Sequence, residues 1–129
     1  MSFGVYPDVP GAEGTVLPPV VSYPSVFAGK AVLAASVSPQ GVDLFLAAIF
    51  RATKYFLVVE QGSDYQALEI FIMSDGTNTF IEVSGLMSST GVPLATFSAD
   101  TLVGAVALEA TLVSPVAATI NFQAIRVLV

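Results

Sequence analysis

The chain has 129 residues, of which 54% are hydrophobic and 11% charged, and its net charge is −6. An ordinary soluble domain is ~45–50% apolar and ~25% charged, so this chain has too few charges to coat its surface, and part of that surface is expected to be buried against other subunits. Four basic residues (Lys30, Arg51, Lys54 and Arg126) are too few to grip a phosphate backbone, and the absence of cysteine and histidine removes thiolate chemistry, the commonest general base and the commonest metal ligand.

The first 25 residues carry five of the eight prolines, Pro7, Pro10, Pro18, Pro19 and Pro24. Proline fixes φ and lacks an amide donor, so this stretch is expected to be neither helix nor central strand. Its start, MSFGVYPDVPG, has no basic n-region and no apolar h-region and does not read as a signal peptide. Phe3, Val5, Tyr6, Val16, Leu17, Val20 and Tyr23 suit an extended arm anchored on a neighbouring subunit. Residues 26–129 are expected to form the folded domain.

Residues 26–36 read as the first strand, closed by the turn Ser38-Pro39-Gln40-Gly41. Residues 42–50 are the longest apolar run. Asp43 interrupts it, and it falls well short of the about 20 apolar residues of a spanning helix, so no membrane partner is expected. Val42, Phe45, Leu46 and Ile49 fit a helical stripe, which predicts a short helical turn or a bend there. Residues 51–60 alternate as a strand with Tyr55, Leu57 and Val59 on one face, and Gln61-Gly62-Ser63-Asp64 ends it.

Residues 65–73 and 79–84 flank Ser74-Asp75-Gly76-Thr77-Asn78, the clearest hairpin signal, since Gly at a tight turn tolerates positive φ. With Gly76 and Thr77 as the loop, Leu68, Ile70 and Ile72 share a face with Ile81 and Val83, and Glu69, Phe71, Met73, Phe80 and Glu82 share the other. Residues 85–92 read as loop, 93–99 as strand and 100–104 as turn. In residues 105–113, Val106, Leu108, Ala110 and Leu112 alternate inward. Residues 118–129 form the last strand, with Ile120, Phe122, Ala124 and Leu128 on one face. Short strands at roughly 8–12-residue spacing without helices between them predict an all-β, antiparallel sandwich of about seven or eight strands behind the arm.

Carboxylates are the only catalytic candidates. Glu69 and Glu82 lie diagonally on one hairpin face, but no cleft-forming insertion accompanies them, so the chain is read as non-catalytic. Asp64, Asp75 and Asp100 sit at turn signals and are read as acceptors for local backbone amides. None lies in a calcium-type loop, so no metal or cofactor is expected. Arg51 and Lys54 suit an inter-subunit ion pair, with Asp43 among the possible partners, or an ordinary solvated pair. Arg126 shares the face of Phe122 and Leu128. A buried charge there would need a partner, and partial exposure at a sheet edge is the simpler expectation. Phe71 and Phe80 point outward and are expected to be covered.

Residues 42–129 resemble a β-rich module of virion structural proteins from tailed bacteriophages, notably those of cyanobacteria. The likeness is carried by Val42-Asp43 with Phe45, by Phe50-Arg51-Ala52-Thr53-Lys54-Tyr55, by Tyr65-Gln66 with Glu69-Ile70, by Asp75-Gly76-Thr77, by Leu94-Ala95-Thr96-Phe97-Ser98-Ala99-Asp100, and by a closing strand with Arg126. The resemblance implies a structural subunit of the virion. Capsid decoration or cement bound to the major capsid protein is the first expectation, and a tail, baseplate or fibre module is the second; in either case a homo-oligomer, with a trimer among the options, is expected. A carbohydrate-binding module with Tyr65 or Phe71 as platform is the third. Arg51, Lys54, Phe71 and Phe80 join the arm residues as expected subunit contacts.

Overall fold

The computed structural model describes residues 25–129. The arm expected over residues 1–25 therefore lies, apart from Ser25, outside the described residues. Eight strands run in chain order: β1 Val26–Leu33, β2 Gln40–Leu46, β3 Phe50–Gln61, β4 Asp64–Ser74, β5 Thr79–Ser88, β6 Ala95–Leu102, β7 Ala105–Leu112 and β8 Ala118–Leu128. They form two antiparallel sheets, one of five strands in the order β1-β8-β3-β4-β5 and one of three in the order β2-β7-β6. The expected all-β sandwich is the observed fold.

The core is written by period-two alternation. Tyr55, Leu57 and Val59 of β3, Leu68, Ile70 and Ile72 of β4, and Ile120, Phe122 and Ala124 of β8 face inward from the larger sheet. Val106, Leu108, Ala110 and Leu112 of β7 meet them from the smaller one. Gln66 is the one long polar side chain fully buried among them. Its carbonyl accepts the amides of Leu94 and Ala95, and its amide donates to the Ala95 carbonyl, so the start of β6 is fixed to β4 at no cost in unpaired polar groups.

The β4–β5 hairpin has the expected register, with Ile72 opposite Ile81 and Ile70 opposite Val83. The Asp75 amide donates to the Asn78 carbonyl, and Gly76 takes φ +97. The Asp75 carboxylate accepts the amides of Asn78 and Thr77 at 2.6 and 2.9 Å, and these bonds hold its carboxyl below the usual range.

Four expectations are corrected. Residues 42–50 hold no helix along the apolar run: β2 covers residues 42–46 and a bulge between Gly41 and Asp43 shifts its alternation, while the bend expected before the next strand is present as the turn at residues 47–49, where the Ile49 amide donates to the Leu46 carbonyl. That shift gives an apolar spacing that mimics a helical stripe. Residues 85–88 are strand, not loop. β5 carries one extra residue opposite Leu68, and Gly85 takes φ +65 at this bulge, so a glycine that reads as a loop signal instead keeps the strand running. Asp100 is not in a turn. β6 extends through it to Leu102, Asp100 pairs with Ala107, and the turn is only Val103-Gly104. Leu128 at the end of β8 is exposed rather than inward.

Gly29 on β1 sits opposite Phe122, whose ring lies where a side chain would be: a Cβ at Gly29 would come within 2.8 Å of both Phe122 Cε carbons and closer still to Cζ. Phe122 in turn packs edge-on to Phe27 and Tyr55, with ring centroids 6.2 and 5.7 Å away. Displacing the ring would disturb this whole aromatic group. Gly29→Ala is therefore expected to destabilise the domain by ~1–3 kcal/mol through overpacking, read as a lower urea midpoint, and an unchanged midpoint would show that Phe122 has room to move.

Candidate functional site

Two places concentrate chemistry. The first lies between the sheets. Arg126 on β8 and Tyr55 on β3 belong to the five-stranded sheet, and Asp43 on β2 belongs to the three-stranded one. The Arg126 guanidinium donates through Nη2 to Asp43 Oδ2 and to the Leu44 carbonyl at 3.3 Å, and the Tyr55 hydroxyl donates to the same Asp43 oxygen at 2.8 Å. The two charged side chains are only 10% and 14% exposed. The guanidinium carbon sits 4.6, 5.4 and 5.3 Å from the ring centroids of Phe27, Phe45 and Phe50, a cation–π setting that strengthens when water is excluded. Arg126 Nε and the neighbouring Thr53 hydroxyl are buried without a hydrogen-bond partner among the described residues.

The expectation of a partly exposed Arg126 at a sheet edge is thereby corrected. β8 lies between β1 and β3, and a buried arginine is tolerated because Asp43 reaches it from the opposite sheet. The signal that could have found this pair was already in the sequence: one acidic residue in the longest apolar run and one basic residue in an apolar strand. Asp43 is thus not a partner for Arg51 or Lys54. Burial, and then the Asp43 carboxylate, push the Tyr55 hydroxyl pKa well above its ordinary 10.0, and Arg126 opposes this only in part. The trio is a charge-balanced clamp in which the Asp43 carboxylate accepts from both Arg126 and Tyr55, while Arg126 Nε stays outside the network.

The second place is the outer face of the five-stranded sheet. Cross-strand register sets Val26, Ile125, Lys54, Phe71 and Glu82 in one row, and Val127, Ala52, Met73 and Phe80 in the next. Phe56 lies behind them, 52% exposed, and Phe71 and Phe80 are 48% and 50% exposed. A groove of about 440 Å³ runs over this face between Val26, Ile125, Phe56 and the Lys54–Glu69 pair.

Of the expected contact residues, Phe71 and Phe80 stand together on this face. Lys54 is paired within the chain, its Nζ 3.8 Å from Glu69 Oε1 with both side chains half exposed, as in a solvated pair. Arg51 donates Nη1 to the Ser74 carbonyl at 3.2 Å and ties the start of β3 to the end of β4. Phe3, Val5, Tyr6, Val16, Leu17, Val20 and Tyr23 lie outside the described residues. Sequence reasoning missed Phe56, Val26 and Ile125, although strand alternation opposite Tyr55 and Leu57 would place Phe56 outward. Tyr65 and Phe71 both face out along β4 but are six residues, roughly 20 Å, apart, so they form no shared sugar platform. Glu69 and Glu82 are diagonal neighbours, and Glu69 is engaged by Lys54.

No protein-family model and no curated protein matches the sequence. Solved structures do match the fold. The tailspike protein of Acinetobacter phage vB_ApiP_P1 is similar over 87% of this chain at 17% identity, with a TM-score of 0.51. The gp49 tailspike of Acinetobacter baumannii bacteriophage Fri1 is similar over 85% at 11% identity and a TM-score of 0.44, and the Acinetobacter baumannii phage AM24 tailspike over 81% at 7% and 0.36. This chain spans about a quarter of the length of each, 23%, 22% and 27% respectively. The first likeness establishes a shared fold. The Fri1 protein is a capsular polysaccharide depolymerase, which corrects the expectation that the chain stands apart from enzymes: lacking histidine and cysteine does not separate it from neighbours that include one. The cyanobacterial affinity finds no counterpart among these neighbours.

Breaking the clamp from one side strands a buried charge. Asp43→Ala is expected to cost ~3–5 kcal/mol, while the double variant Asp43→Leu/Arg126→Met costs less than the sum of the two single changes, measured by urea unfolding. Additive costs would show that the two side chains do not act as a pair. A second expectation concerns pH. An unfolded tyrosine releases its proton near 10.0, whereas folded Tyr55 holds it to higher pH. Above that value the folded state binds more protons than the unfolded one, so stability declines as pH rises. Tyr55→Phe should flatten the decline in urea midpoint across the alkaline range, and an unchanged slope would assign it to other groups.

Proposed function

We propose that this chain is a structural module of a phage tail spike or tail fibre, carried in the virion and packed against other tail subunits, copies of itself among them. The observation that supports the reading best is the likeness to the vB_ApiP_P1 tailspike, which takes in 87% of this chain and 23% of the spike, as a module within a larger appendage would. Surface chemistry agrees with it. At one end of the smaller sheet Leu44, Leu46, Leu102 and Val103 are exposed in or beside a row whose centre is the small Ala105. Such a low-charge patch is suited to contact with protein rather than with water. Capsid decoration draws no comparable support, since the three neighbours described above are all tailspike proteins.

Gold-labelled antibody against the chain, applied to intact phage particles and viewed by electron microscopy, tests the assignment. Label confined to the tail or its tip is the expected outcome. Label spread evenly over the head would sink the tail assignment and restore the decoration reading.

A further inference from the structure

β5 ends the five-stranded sheet, and among the described residues no strand pairs with its free side. The hairpin fixes the direction of its backbone groups. The Asp75 amide donates to the Asn78 carbonyl, so these two form a hydrogen-bonded pair. The alternation of an antiparallel ladder then turns the amides and carbonyls of Thr79, Ile81 and Val83 away from β4. The side chains of this stretch are uncovered too. Ile81 and Val83 stand opposite the buried Ile72 and Ile70 and point inward, yet they are 37% and 43% exposed. The smaller sheet ends at β6, which meets β5 at Thr79, where the Thr79 and Thr101 hydroxyls lie 2.7 Å apart, and it has no further strand to cover them.

A free sheet edge invites strand pairing, and proteins commonly blunt it with lysine, proline, inward-pointing charges or bulges. The edges β1 and β2 show such devices: β1 carries Lys30, and β2 carries the bulge after Gly41. Residues 79–83 of β5 read Thr-Phe-Ile-Glu-Val, with neither lysine nor proline, and the bulge at Gly85 comes only after them. Glu82, the one charge, points to the outer face. The segment is also self-complementary. A two-fold axis through Ile81 sets Ile81 opposite its own copy and Thr79 opposite the partner's Val83, so outward amides meet outward carbonyls in about six hydrogen bonds. Phe80 then faces the partner's Glu82. Moving the axis to Glu82 would oppose two carboxylates, and moving it to Val83 would set the Gly85 bulge against Ile81. One register remains.

We propose that two copies of this chain pair β5 with β5 across a two-fold axis at Ile81, joining their five-stranded sheets into one continuous sheet. On the inner side, Ile81 and Val83 of both copies fill the gap beyond β6. The pairing rests on the strand edge alone and does not depend on where the protein sits in a particle.

Sedimentation velocity of the full-length chain tests this, with a dimer expected. Ile81→Pro deletes an amide that β4 does not use and should raise the dimer dissociation constant about tenfold or more. Val83→Lys, an inward charge on the same edge, is the second variant, and thermal unfolding of both checks that the sandwich stays intact. The chain contains no cysteine, so introduced thiols read the register directly. Under mild oxidation Ile81→Cys is expected to link into disulfide dimers, because the Cα atoms of an opposed hydrogen-bonded pair stand ~5.5 Å apart, within disulfide range. Val83→Cys should not link to itself, since its two copies lie about 13 Å apart along the strands. A monomer or a trimer in solution would overturn the proposal. So would a dimer that both edge variants leave equally tight, or Val83→Cys linking as readily as Ile81→Cys.

Discussion

The sandwich turns on one buried ion pair. Arg126 and Asp43 come from different sheets, and neither can stay charged between them without the other. Removing such charges from water costs several kcal/mol each, and the pair recovers this only with good geometry and further hydrogen bonds. The fold supplies both: Tyr55 adds a second donor to the Asp43 oxygen, the Leu44 carbonyl takes another guanidinium proton, and three phenylalanine rings enclose the cation. The pair thereby fixes how β2 sits over β8 and β3. Leucines at the same positions would hold the sheets together as firmly but would leave their relative slide free, since apolar contact is non-directional.

This also explains which parts of the structure were legible in the sequence. Tyr55, Leu57 and Val59, or Val106, Leu108, Ala110 and Leu112, declare their face by alternation alone, because each strand has one wet or covered side and one core side. The signal failed where an extra residue enters a strand. The bulge at Gly41–Asp43 made β2 look helical, and that at Gly85 made the second half of β5 look like loop. Arg126 failed differently. Its alternation was correct, but a charge on an inner face invites the assumption of exposure unless its partner is known, and Asp43 lies 83 residues away in sequence. The resemblance carried by stretches such as Phe50-Arg51-Ala52-Thr53-Lys54-Tyr55 reached phage virion modules in general, whereas the particular likeness to a tailspike, at 17% identity, came only from the fold.

The low charge that first suggested covered surfaces has a definite distribution. Among the described residues, the core takes the apolar positions that alternation assigns inward, and a second set remains exposed on the outer faces, including Phe56, Phe71, Phe80 and Met73 on one sheet and Leu44, Leu46 and Leu102 on the other. Burying a phenylalanine side chain gains ~1.5–3 kcal/mol relative to leaving it in water, so three half-exposed rings on one face are a standing incentive for association. A five-stranded sheet presents the larger and more aromatic of the two faces, while the smaller sheet presents alanine and leucine.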